Sequence, residues 1–311
     1  ASQVLLPMEQ KPWFKHWPPQ VPKAIAYPEV PLCNLLKKAA EKHPTHTAII
    51  FLDKKITYKE LDTLSDKFAT ALHDLNVEKG NRVALYLPNI PQFIISYYGA
   101  LKLGATITTV NPLYKERELE HQLNDSRAET LIFLDLLYPN VKALREKTKL
   151  KHLIAANIRE YLPSTKKILG KLFGKVPSFK IPRESGIYSF KELVERYPPQ
   201  PSKVEINPKE DLAALQYTGG TTGVPKGAML THYNLVSNAV ACAAWLHGKE
   251  AEDVFLTVLP LSHIYGMTTS MNGPIYLAGT MILVPRPSSL EILKVIQKYR
   301  VTVFCGVPTL Y

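Results

Sequence analysis

Apolar runs of about six residues alternate with amphipathic stretches of helical period along much of this chain, and few folds can use such a pattern. Residues 82–87, 105–110 and 130–134 read as strands, and 90–103 and 116–123 read as helices. A further helix–strand pair spans 139–155. Strands apolar on both faces must be covered on both faces, and intervening helices supply the crossovers that a parallel sheet needs. The alternation returns later, with strands at 254–258, 281–284 and 301–305 and helices at 264–277 and 290–299. The expected fold class is therefore α/β: two stacked, mostly parallel sheets with covering helices. The expected division is an N-terminal arm and helix over 1–47, a first α/β subdomain over 48–200 and the start of a second over 201–311.

Ahead of this pattern, residues 10–31 are rich in proline and aromatic side chains, including Pro12, Trp13, Trp17, Pro18 and Pro19, and read as an extended arm packed over a larger body. A helix follows at 32–42, then an apolar run at 48–52 and a hairpin turn at 53–55. Thr57 with Glu60 three residues on forms a capping box, and Leu61, Leu64, Phe68, Leu72 and Leu75 give the next helix one apolar face. A short helix at 188–197 and a proline-rich crossing at 198–208 lead into the stretch that carries chemistry.

That stretch runs from Leu215 to Thr231. Gly219, Gly220 and Gly223 alternate with Thr218, Thr221 and Thr222, and a single cation, Lys226, closes the turn behind Pro225. Glycines let the backbone approach an anion and offer N–H groups to it; threonine hydroxyls add donors or a metal contact, and the lysine adds a point charge. A glycine-rich hairpin without ligand is the alternative. Pro225 and Gly227 flank the lysine where a Walker loop needs Gly before it and Ser or Thr after it, which disfavours a kinase or P-loop ATPase. The dinucleotide fingerprint opens straight into a helix. Here 228–230 read as a short strand, with Thr231 as N-cap of a helix at 234–246.

The run 217–227 resembles the nucleotide-phosphate loop of the adenylate-forming superfamily, which includes the acyl-CoA synthetases. Glycine at 219, where most members carry Ser, is similar to the long-chain fatty acyl-CoA synthetases. The stretches 80–89, 104–112 and 306–311 extend the resemblance over nearly the whole chain. It implies the large N-terminal domain fold of that superfamily and a two-step reaction. A fatty acid carboxylate is activated by ATP to an acyl-adenylate with release of pyrophosphate, and coenzyme A then takes the acyl group as a thioester. It also implies that Thr218, Gly219, Gly220, Thr221, Thr222, Gly223 and Lys226 bind the nucleotide, with Thr218 near a magnesium ion. The mobile C-terminal lid domain and the motifs for adenine and ribose lie beyond Tyr311 in the family. On that ground the 311 residues are expected to be the first part of a longer enzyme, inactive alone. An adenylating ligase for another carboxylic acid and a non-catalytic lipid- or acyl-CoA-binding fragment are the alternatives.

A second candidate segment is 259–267, where Ser262 and His263 stand between a strand end and a helix start. By chemistry alone a histidine such as His263 is more often a satisfied structural residue. The resemblance places it beside the acyl group, orienting the carboxylate, with Tyr265, Gly266 and Met267 as candidate walls of the acyl channel; ordinary core packing is the alternative for each of these three.

The formal charge of +11 is concentrated. Twelve Lys or Arg lie in 142–183 against only Glu146 and Glu160, and Ile168, Leu169, Leu172, Phe173 and Val176 form a helical stripe among Lys166, Lys167, Lys171 and Lys175. An anionic membrane surface is one partner for such a segment and a solvated face is the other reading. Nucleic acid is not expected, since no recognition motif accompanies the charge. Three widely spaced cysteines suit reduced thiols, no His or Cys set has metal-ligand spacing, and no apolar run is long enough to span a bilayer. A cytoplasmic protein is expected, peripheral to the inner face of the membrane if the basic segment docks there, with a homodimer left open.

Overall fold

Along β3 (Arg82–Tyr86) the side chains divide strictly by period two: Val83 and Leu85 enter one apolar cluster, Ala84 and Tyr86 another. β5 (Thr130–Leu134) repeats this, with Ile132 and Leu134 on the first side and Leu131 and Phe133 on the second. A strand buried on both faces needs two covering layers. The structure, a computed structural model, describes residues 11–163, 177–218 and 223–311, and supplies both layers.

These strands are central to a seven-stranded sheet of order β7 (Ile187–Ser189), β6 (His152–Ala156), β5, β3, β4 (Thr106–Thr109), β8 (Leu212–Thr218) and β9 (Lys226–Thr231). All pairings are parallel except β8 with β9. A second sheet has the order β12 (Val303–Phe304), β10 (Val254–Thr257), β11 (Thr280–Leu283), β1 (Thr47–Phe51) and β2 (Lys54–Thr57), again with one antiparallel edge, β1 with β2. The hairpin between β1 and β2 turns at Leu52 and Asp53, both with positive φ, as a tight two-residue turn requires.

Between the sheets lies a helical layer. α1 (Cys33–Lys42), α2 (Tyr58–Asp74) and α3 (Pro91–Lys102) share one core with residues of both sheets, and Pro91 through Leu101 are all buried. Polar groups in this layer are paired across it: the Tyr58 hydroxyl donates to the Gly279 carbonyl (2.7 Å) and the Tyr98 hydroxyl to Asn272 Oδ1 (2.9 Å). α4 (Glu116–Ser126) and α5 (Tyr138–Lys142) cover the far side of the seven-stranded sheet. A short α6 (Phe190–Arg196) packs against α2, with Phe190 on Phe68.

The expected α/β class and the strand–helix alternation hold. The expected capping box of Thr57 with Glu60 is formed, and Thr231, expected as an N-cap, forms a second box with Asn234 that opens α7 (His232–Trp245). Two elements differ. The helix expected over 264–277 is broken into α8 (Ile264–Met267), a π-helical turn (Thr268–Asn272) and α9 (Gly273–Tyr276). After it, α10 (Ser289–Tyr299) covers the outer face of the five-stranded sheet through Ile292. The sheets also cut across the sequential division at residue 200. β1 and β2 join the sheet built from residues 254–304, because Ile50 pairs in parallel with Ile282, while β8 and β9 extend the sheet of β3–β7.

The arm holds a 3₁₀ turn (Pro12–His16) and ends where the Leu32 N–H donates to Nδ1 of buried His232 at 3.0 Å. The basic amphipathic stripe proposed for 166–176 lies outside the described residues. All three cysteines are free thiols. Among the described residues no helix is long and apolar enough to cross a membrane.

Candidate active-site cleft

β8 carries the phosphate-loop sequence to its carboxyl end, and β9 brings it back antiparallel, so that Thr218 is paired with Lys226 across the mouth of the hairpin. Both are exposed there, as is Gly223, whose φ of +97° is open to glycine and strained for any other residue. Gly219, Gly220, Thr221 and Thr222 lie outside the described residues.

α4 grips the hairpin from the side. The Tyr217 hydroxyl donates to Asp125 Oδ2 at 2.5 Å, and His121 Nε2 is 3.2 Å from the Pro225 carbonyl oxygen. Burial, then the hydrogen bond to Asp125, pushes the Tyr217 phenol up and keeps it a donor. The ring lies against Gly227, where an added Cβ would come within 3.0 Å of it.

The 259–267 segment begins where β10 ends. The side chain of Asn89, just past β3, accepts from the Leu261 N–H (3.0 Å) and donates to the carbonyls of Leu259 (2.9 Å) and Thr257 (3.2 Å). Thr109 Oγ1 and Gln216 Nε2 both donate to the Ser262 carbonyl, at 2.8 and 3.0 Å. Gln122 in turn donates to Thr108 Oγ1 and the Thr109 carbonyl, both at 2.9 Å. The turn bearing His263 is thus fixed to the ends of β3, β4 and β8 by buried polar groups. These work as a unit because each satisfies another's backbone demand.

His263 caps α8: its Nδ1 accepts from the Tyr265 N–H at 3.2 Å, which leaves Nε2 as the ring's donor. The ring is exposed. Tyr265 is 40% exposed, and Gly266 is buried because the Pro260 carbonyl oxygen would stand 2.3 Å from any Cβ there.

These pieces surround one cleft of about 510 Å³, lined by Thr218, Tyr217, His263, Tyr265 and Gly266 together with Thr109, Gln216, Pro260 and Val307. Its walls are carboxyl ends of strands from both sheets, the place where ligand crevices form in α/β folds. Of the residues singled out from sequence, the structure brings Thr218, His263, Tyr265 and Gly266 together here. Lys226 stands at the hairpin mouth opposite Thr218. Met267 is not brought to the cleft: it is fully buried in the core, where the Tyr97 hydroxyl donates to its sulfur at 3.4 Å. Residue 267 is two positions past 265 on a helix and so faces nearly the other way. Thr109 and Gln216 were missed, though their signal was present as polar residues inside strands otherwise apolar. Ser262, named with His263 from sequence, contributes its carbonyl, the acceptor for both.

The family profile described as "AMP-binding enzyme" matches residues 36–311. The long-chain-fatty-acid–CoA ligase of Bacillus subtilis (strain 168) is 39% identical, over 97% of this chain and 54% of its own length. That of Salmonella typhimurium (strain LT2) is 36% identical, over 97% and 55%. The chain therefore spans about half the length of the curated relatives it matches. Among solved structures, a long-chain-fatty-acid–CoA ligase from Archaeoglobus fulgidus superposes with a TM-score of 0.77 at 29% identity, covering 92% of this chain and 53% of that one. An anthranilate CoA ligase in complex with anthranoyl-AMP also gives 0.77, at 22% identity, covering 93% and 51%, a likeness of fold alone.

Proposed function

This chain belongs to the AMP-binding enzyme family, and from that membership we propose that it is the nucleotide- and acyl-binding portion of an ATP-dependent long-chain fatty acid–CoA ligase. The observation that carries the reading is the meeting of the phosphate-loop hairpin and the His263 turn at one cleft.

In the proposed reaction a fatty acid carboxylate attacks the α-phosphorus of ATP, and pyrophosphate leaves. Coenzyme A then attacks the acyl carbon of the adenylate, and AMP leaves. In-line displacement at phosphorus asks a protein chiefly for position and for charge near the leaving group. Lys226 supplies that charge, and the Thr218 hydroxyl and the amides of 219–223 supply neutral donors. Nε2 of His263, freed as a donor by its partner at Nδ1, orients the carboxylate. Tyr265 and Val307 offer the apolar wall that an acyl chain needs.

Magnesium suits a site of this kind, since it binds nucleotide phosphates with one or two protein oxygens and keeps several waters. Thr218 would offer it an oxygen; among the described residues no cluster of three His, Cys, Asp or Glu could hold a metal. Bound with ATP, the ion would neutralise charge on the departing pyrophosphate.

The test is calorimetric titration of the chain with MgATP. Lys226→Ala should weaken binding about tenfold or more, the cost of one charge-assisted hydrogen bond. Unchanged affinity in that variant, with its thermal melt also unchanged, would remove the loop from the nucleotide site and the reading with it.

A further inference from the structure

The chain has three tryptophans, and all three stand in one surface cluster. Trp13 and Trp17 come from the 3₁₀ turn of the arm and the residue after it, and Trp245 from the last turn of α7. Their rings meet edge to face in a continuous chain: Trp13 with Phe14 (centroids 6.3 Å apart), Phe14 with Trp17 (5.3 Å) and Trp17 with Trp245 (5.1 Å). The Trp17 indole N–H donates to the Val21 carbonyl at 2.9 Å, which fixes that ring against the arm. Trp13 remains 55% exposed, Trp245 54% and the adjoining Leu246 42%. Indole is the side chain with most to gain from leaving water, so an exposed cluster of this kind asks for a partner surface.

The cations around it say what kind. Lys11 Nζ lies 5.8 Å from the Trp13 ring and 5.9 Å from that of Phe14, Lys23 Nζ lies 5.1 Å from Phe14, and Lys15 is in the same turn. No Asp or Glu occurs from Lys11 to Pro28. Lysine is depleted at protein–protein interfaces, whereas tryptophan flanked by lysine is the chemistry of the bilayer headgroup region, the ring at the glycerol level and the ammonium at the phosphates. The stem of a lysine can lie along apolar surface while its head stays at that charged plane.

We propose that the patch of Trp13, Phe14, Trp17 and Trp245 with Lys11, Lys15 and Lys23 is a docking surface for an anionic lipid bilayer, which the protein approaches peripherally without spanning it. This surface shares no residue with the basic stretch at 166–176, and the proposal is independent of the catalytic reading above. One of its members, Trp245, is on α7, and α7 is tied to the residue after α8 by the hydrogen bond that the Thr268 hydroxyl donates to Asn238 at 2.9 Å.

Because every tryptophan is in the patch, intrinsic emission reports this surface and no other. The full chain is mixed with vesicles of phosphatidylcholine, alone or with one third phosphatidylglycerol, and followed by emission, aqueous quenching and cosedimentation. The expected result is binding to the anionic vesicles, with emission moved to shorter wavelength and protected from iodide. Replacing Lys11, Lys15 and Lys23 by Gln should lower partitioning by roughly fivefold per lysine. Trp13→Ser should lower it too, with an unchanged far-ultraviolet dichroism spectrum. Failure to bind, equal binding to the uncharged vesicles, or cosedimentation without any change in emission would each overturn the proposal, the last by showing that another face makes contact. A variant with Lys166, Lys167, Lys171 and Lys175 changed to Gln should keep the emission change.

Discussion

At Gly266 the absence of a side chain is a matter of contact. A Cβ there would sit 2.3 Å from the Pro260 carbonyl oxygen and 2.9 Å from its carbon, and backbone atoms cannot swing aside as a flexible side chain would. Gly266→Ala should therefore push α8 away from the 259–262 turn and lower stability by about 2–3 kcal/mol, seen as a lower denaturant midpoint at unchanged m. An equal midpoint would mean that the turn yields at little cost. The sequence marked Gly266 as a channel wall by its neighbours in the motif; what it could not express was the carbonyl that comes back over it from six residues earlier. Met267 teaches the complement. Adjacency to His263 and Tyr265 suggested the channel, while helical geometry sends the side chain at 267 into the core beside Tyr97.

Among the elements, the segment after β10 is the least self-sufficient. Over 258–262 it has no helix or strand, and the Asn89 side chain serves two of its backbone groups, the Leu259 carbonyl and the Leu261 N–H, besides the Thr257 carbonyl at the end of β10. Asn89 is 5% exposed, so Asn89→Ala strands the Leu259 carbonyl and the Leu261 N–H, while the Thr257 carbonyl keeps the Val284 N–H. The expected loss is about 2–4 kcal/mol, with the greater part of any rise in amide exchange at Leu261 and its neighbours rather than at β3. Exchange that rises evenly over the whole protein would contradict a local clamp. Elements with strong periodicity or caps, such as α2 behind Thr57 and α7 behind Thr231, were legible to within a residue or two. The interruption of 264–276 by a π turn was not. Thr268–Asn272 holds no glycine or proline to announce a break, and the turn sits where Asn272 accepts from Tyr98 and Thr268 donates to Asn238 in the buried layer.

On the scale of the molecule, His232 ties three parts together: the arm through Leu32, the head of α7 and the start of the β8–β9 hairpin beside Asp211. Its Nδ1 accepts a hydrogen bond and its Nε2 is buried with no partner among the described residues; burial holds its pKa down to about 4, against the partial upward pull of Asp211. A base whose folded value lies below the unfolded one near 6.5 takes up its proton more readily when unfolded. Its contribution is thus intact above pH 6.5 and is lost as pH falls towards 4, by on the order of 3 kcal/mol. His232→Asn should flatten the acid limb of a plot of Tm against pH over that window; a limb of unchanged slope would place acid sensitivity elsewhere. Strand partnership was the part of the whole that the sequence did not disclose. Hydrophobic pattern shows that Ile49 and Ile50 need cover on both sides, but Met281 and Ile282 would satisfy them no better, by composition, than Val83 or Ile132 nearer in the chain.

The pairing of β1 with β11 has a consequence for biogenesis. Ile50 leaves the ribosome about 230 residues ahead of its partner Ile282, on the order of ten to fifty seconds at ordinary elongation rates. Through that interval this apolar strand has no lateral neighbour except its own hairpin mate, so the nascent chain carries an unfinished, adhesive edge until β11 emerges. A gene split near residue 200 would accordingly yield two halves, each deprived of a strand pair it needs, that become competent only when they meet.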